Sequence, residues 1–153
     1  MASEQVRYVL KGTRSIHERA ARYFAHLAMR CKQQRAKMLL DYLAGHERHL
    51  ADAILQAEAG ASEKVLSTWV TTTVPVAHLI DQMDWDEAHN AYASCDELVE
   101  KGLDIANQVI EVYEELSRRA EPAWLQELFL QLLDMEQQEE KLMAKQTLRG
   151  MDL

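Results

Sequence analysis

His17, Glu47, Glu136 and Glu139 stand at places where a helical sequence would normally carry apolar side chains. The stripe through Glu47 reads Ala36, Leu40, Leu43, Glu47, Leu50, Ile54, Ala57, stepping three or four residues each time. That period keeps one helix face inward and puts a carboxylate in the middle of a hydrophobic seam. An unpaired buried carboxylate costs several kcal/mol, so such a group is normally paired, protonated or bound to a metal. One imidazole with three carboxylates suits a single Fe, Mn or Zn ion by ligand type. The same four groups could equally close on themselves as a hydrogen-bonded polar cluster, with imidazolium paired to carboxylate and no cofactor. Both readings are open at this level.

The elements that must position these residues are long helices. Two prolines and five glycines among 153 residues leave long uninterrupted stretches. A first helix is expected from about Ser3 to Cys31, with Ile16, Ala20, Phe24 and Leu27 inward. A second ends near Gly60, and Ser62 is placed to cap a new helical turn after it. The third starts near Ser94, which has capping-box spacing to Glu97, and ends near Arg119. Pro122 suits the start of a fourth, running to about Leu148. The segment from Trp69 to Val76 is β-branched and broken by Pro75, so it reads as extended, and Val76–Met83 as a short helix. The expectation is a single all-α domain spanning 1–153: one helical hairpin over about 3–60, a crossover over about 61–92 and a second hairpin over about 93–149. Two hairpins joined by one long crossover make the ferritin-like arrangement.

The hairpins also repeat. A shift of 89 residues aligns them without a gap, pairing Ile16 with Ile105, Phe24 with Tyr113, Leu40 with Phe129, Leu43 with Leu132 and Glu47 with Glu136. On Phe24-Ala25-His26-Leu27-Ala28 and Leu39 through Glu47, with Val112-Tyr113-Glu114-Glu115-Leu116 and Leu128 through Glu136, the chain resembles the rubrerythrin-like branch of the ferritin-like superfamily. The match covers both hairpins but not the crossover. The resemblance implies two irons held by a carboxylate from each of two helices and a Glu-x-x-His pair from each of the other two. This sequence departs from that pattern. Leu50 follows Glu47 where a histidine belongs, and Glu139 follows Glu136 likewise; His17 replaces one carboxylate and Ala106 the other. The CxxC pairs of a rubredoxin-type iron centre, which full rubrerythrins use to receive electrons, are also missing. A conventional di-iron centre is not expected.

Other features narrow the function classes. A net charge of −8 disfavours nucleic acid and anionic membrane as partners. No apolar run approaches the roughly 18–20 residues that span a bilayer, and the N-terminal residues lack a signal-peptide core, which points to the cytoplasm. Arg30, Lys32, Arg35 and Lys37 form a basic patch that suits a solvated turn. His46 and His49 flank Glu47 but lie off the inward stripe and read as surface residues; rotating the helix by one residue would bring His46 inward. Cys31 and Cys95 would lie on one side of the bundle, as a redox pair or as two separate thiols. Ala106 and Gly102 leave room beside the polar centre that a small molecule could use. Apolar residues of the crossover (Trp69, Val70, Val74, Val76, Leu79, Ile80, Trp85) exceed what a solvated linker needs. They must pack along the bundle or cover a second copy, and a homodimer or another protein partner is expected. The function expected is therefore a non-catalytic oligomeric interaction or adaptor module with a vestigial centre; the alternative is a metal-binding oxidoreductase or iron-handling protein with an altered centre.

Overall fold

The first residues of the chain are extended and find a partner far along the sequence. In the computed structural model, which describes residues 2–73, 75–82 and 94–151, β1 (Ala2–Gln5) pairs antiparallel with β2 (Trp69–Thr72), Ala2 opposite Thr72 and Gln5 opposite Trp69. β2 is the β-branched stretch expected to be extended. Its backbone groups need partners, and residues 2–5 supply them. Helix α1 (Val6–Arg30) therefore starts at Val6 rather than near Ser3, and the Val6 N–H donates to the Thr68 carbonyl at 2.9 Å. This small two-stranded sheet is an addition to the all-α expectation.

The rest is mostly helical. Beyond α1 come α2 (Gln34–Gly60), α3 (Glu63–Leu66), α4 (Val76–Gln82), α5 (Cys95–Arg119) and α6 (Ala123–Met151). The starts of α3, α5 and α6, unlike that of α1, fall where the sequence places them, because their caps are local. Ser62 Oγ accepts from the Val65 N–H and Ser94 Oγ from the Glu97 N–H, each at 3.2 Å. Pro122 precedes α6, its carbonyl accepting from the N–H groups of Leu125 and Gln126. α1 packs along α2, α5 along α6, and α2 against α6. No helix among the described residues is long and apolar enough to cross a membrane.

One apolar core runs through these helices, with Phe24, Leu43, Ile105, Tyr113, Leu116 and Phe129 all fully buried or nearly so. The described part of the crossover packs onto it: Val70, Val76 and Leu79 are buried, while Trp69 is 64% exposed. α4 lies close to α1 because residue 12 is glycine. A Cβ there would come within 2.6 Å of Val76 Cγ1. The Thr73 backbone N–H and hydroxyl both donate to Glu115 Oε1, at 2.6 and 2.9 Å, which fastens the segment to α5. Val74, Met83 and Trp85 of the expected crossover lie outside the described residues, as does the side chain of Cys95.

Candidate functional site

Three helices deliver one charged side chain each to the same buried layer. On α1 the inward residues Ile16, Ala20 and Phe24 carry His17 with them. On α2 the stripe Leu40, Leu43, Leu50, Ile54 is buried as its period requires, and Glu47 is buried within it. On α6, Leu125, Phe129, Leu132 and Met143 hold Glu136 inward in the same way. His17, Glu47 and Glu136 each have no exposed surface.

The imidazole bridges the two carboxylates. His17 Nδ1 lies 2.5 Å from Glu47 Oε2, and His17 Nε2 lies 2.7 Å from Glu136 Oε1. Two hydrogen bonds between one ring and two carboxyl groups need two protons. With both protons on the ring, an imidazolium donates to two carboxylates, and the triad carries a net charge of −1. Burial alone would pull the His17 pKa down. The charges and hydrogen bonds of Glu136 and Glu47 outweigh it and raise the pKa to about 10. Burial pushes the Glu47 carboxyl upward, and the charge of His17 pulls it back only in part. The apolar residues at the remaining expected ligand places, Leu50 and Ala106, are buried as packing groups.

Glu139 does not join this triad. It sits on the α2–α6 flank, where Oε2 lies 3.0 Å from His46 Nδ1 and Oε1 lies 3.3 Å from His49 Nε2. His46 is buried, which corrects the expectation of a surface position. The stripe through Glu47 keeps its inward place without rotation, and the buried face of α2 is wide enough to take in His46 as well, opposite Glu139 on α6. His49 stays exposed. Burial lowers the His46 pKa, against the opposing pull of Glu139, and Tyr42 stacks on its ring at 6.2 Å. Glu140 also turns partly inward, its pKa raised by burial and by the charge of Glu136.

Sequence reasoning passed over two polar contacts. The Tyr113 hydroxyl donates to Thr13 Oγ1 at 2.7 Å, and Thr13 donates on to the Leu10 carbonyl at 3.2 Å, so this core aromatic has a buried polar anchor. Arg14 reaches from α1 to Glu58 near the end of α2 at 2.5 Å and to Glu18 at 2.8 Å. The space beside Gly102 is taken up by Met143, Leu43 and Phe24, all within 3.8 Å of where a Cβ would stand. Two pockets open elsewhere. One of about 360 Å³ lies between β2 and the α5–α6 corner, lined by Trp69, Leu116 and Arg119 among others. The other, about 320 Å³, lies over Asn107, Gln137 and Glu140.

Among the described residues, four buried side-chain atoms lack a protein partner: Glu47 Oε1, Glu136 Oε2, His46 Nε2 and Glu140 Oε2. They belong to the triad and its neighbours, which makes this layer the least satisfied part of the described interior. As the side chains stand, the donor set does not fit a metal. Both His17 nitrogens face carboxylate oxygens, and a protonated ring has no lone pair to give. Among the described residues no group of three or more His, Cys, Asp or Glu side chains is arranged to hold a metal ion. Compared with models of protein families, with curated proteins and with solved structures, the chain matches none of them.

Proposed function

We propose that the protein is a cytoplasmic, non-catalytic helical bundle of ferritin-like arrangement that serves as an oligomeric interaction or adaptor module. The observation that carries this reading is the closed centre: His17 spends both ring nitrogens on Glu47 and Glu136 in a layer without solvent exposure. A catalytic carboxylate or imidazole must present a free lone pair or proton to a substrate, and His17 presents neither. Support for the ferritin-like arrangement comes from the two packed hairpins, whose carboxylates Glu47 and Glu136 occupy matching places 89 residues apart.

Support for an interaction role comes from large apolar side chains left on the outside. Met29 is 82% exposed, Met38 62% and Trp69 64%. Met29 and Met38 flank the α1–α2 turn, and methionine adapts well to a protein surface. Sedimentation velocity over a wide concentration range, with affinity capture of partners, tests this role. A homodimer or a stoichiometric protein partner is expected. A chain that stays monomeric throughout and captures nothing contradicts it.

One observation favours a second reading, a metal-handling protein with an altered centre. The unpartnered oxygens of Glu47 and Glu136 are the atoms a metal would seek. That reading requires His17 to leave both carboxylates. Elemental analysis of untagged protein purified without chelator separates the two. Metal-free, folded protein supports the closed centre. Near one equivalent of Fe, Mn or Zn, lost in Glu47→Ala combined with Glu136→Ala, supports the metal reading.

A further inference from the structure

We infer that the outer edge of β2 is a docking slot for an extended segment of a partner protein, which adds to the sheet as a third strand and lays an apolar side chain against Trp69. The inference rests on the interaction-module reading proposed above and names the chemistry of one partner. In an antiparallel ladder each residue turns its N–H and C=O to the same side, and the side alternates along the strand. The Thr68 carbonyl accepts from the Val6 N–H, so residue 68 faces β1, as do Val70 opposite Glu4 and Thr72 opposite Ala2. The N–H and C=O of Trp69 and Thr71 therefore point away from β1. Thr73 is next in that outward series, and its N–H has a partner in Glu115 Oε1 at 2.6 Å. Among the described residues nothing pairs with the outward main-chain groups of Trp69 and Thr71.

Glu115 closes the edge at Thr73. From Thr71 to Trp69 the strand borders the cavity of about 360 Å³ whose far wall is the α5–α6 corner, with Leu116, Arg119 and Ala120. The occupant follows from the groups it must satisfy. Two donors and two acceptors alternate along about 7 Å of strand, a row that another extended backbone matches. Val70 and Thr72 are buried on one face of β2, which leaves the exposed indole of Trp69 on the other. An added strand would set an apolar or aromatic side chain beside it, the pairing that stabilises neighbouring strands. The sequence Trp69–Thr72 holds no lysine and no proline, the residues that commonly keep an edge from pairing. The same edge of a second folded copy fits less well, because it lies behind its own α5–α6 corner and the two corners meet before the edges do.

The probe is a displayed library of linear heptapeptides selected on the full chain, with synthetic copies of the selected sequences titrated by calorimetry. The decisive variant is Thr71→Pro. It deletes one outward N–H and spares the ladder to β1, because proline is tolerated on a strand edge where the missing N–H faces away from the neighbour. Selected peptides are expected to alternate apolar and polar residues and to slow hydrogen exchange at the Trp69 and Thr71 amides. They should bind Thr71→Pro at least tenfold more weakly, roughly the effect of stranding one main-chain acceptor, while that variant keeps the wild-type Tm. Should Thr71→Pro be unstable, N-methylated peptides decide on wild type: methyl groups on alternate residues should abolish binding in one phase and spare it in the other. An empty selection, or peptides indifferent to both Thr71→Pro and the phase of methylation, would overturn the inference and leave the interaction role to its sedimentation test. Self-association of wild type that Thr71→Pro dissolves would place a second copy on the edge, overturning the inference while supporting that role.

Discussion

Replacing His17 with leucine is the sharpest test of what holds the centre together. The substitution leaves two carboxylates facing each other, both without exposed surface and both without the cationic ring that bridged them. Removing one member of a buried ion pair costs about 3–5 kcal/mol, because the group left behind keeps its desolvation penalty. At about 2–4 °C per kcal/mol for a chain of this size, Tm should fall by about 6–20 °C. The companion variant, with Glu47→Leu and Glu136→Leu added, removes the stranded charges as well, and a buried ionic group replaced by apolar ones of similar volume is often neutral or stabilising. Most of the loss should therefore return, a strong non-additivity between residues in direct contact. Acid should also rescue the single variant in part, since protons can neutralise the stranded carboxyls. Urea unfolding at pH 7 and pH 5, with slopes compared to confirm two-state behaviour, measures all of this. A cost below about 1 kcal/mol for His17→Leu, or a triple variant no more stable than the single one, would refute the reasoning.

Alkali should weaken the wild-type fold. The folded pKa of His17 is raised from 6.5 to about 10, so its contribution is complete below about pH 6.5 and is lost as pH rises toward 10. The raised pKa of Glu47 acts in the same direction above its unfolded value. Thermal melts from pH 6 to pH 10 should show a steady decline that His17→Leu lacks over the alkaline half. Gly12→Ala should destabilise by about 1–3 kcal/mol through overpacking against Val76, and less so when Val76→Ala is added; equal stability to wild type would contradict the close approach of α4. Thr13→Val strands the Tyr113 hydroxyl in the core, at about 1–3 kcal/mol. Adding Tyr113→Phe should restore most of that in chemical denaturation, whereas an additive loss would show that the hydroxyls do not pair.

Much of the fold could be read from local chemistry. Ser62, Ser94 and Pro122 mark helix starts through contacts within one turn, and the apolar period alone assigns the inward faces of α1, α2 and α6. The same period places His17, Glu47 and Glu136 inward. What it cannot supply is pairing across the chain. β1 forms because residues about 67 positions apart find each other, and nothing in Ala2–Gln5 itself favours a strand. Glu139 shows the limit of period alone. It lies three residues after Glu136 and shares a face with it broadly, yet the angle between them turns Glu139 to the flank where His46 waits. His46 is ambiguous for the same reason, since one residue of helix rotation separates flank from centre. The Thr13–Tyr113 bond joins α1 to α5, and a lone threonine among apolar neighbours gives no sign of its partner.

The most direct measurement is a ¹⁵N NMR titration of the His17 side chain in wild-type protein. A ring held between two carboxylates should show protons on both nitrogens, exchange slowly with solvent and stay unchanged from pH 5 to pH 9. A ring that loses a proton near its ordinary pKa of 6.5, or that shows a single protonated nitrogen at pH 7, would contradict the imidazolium bridge and the closed centre built on it.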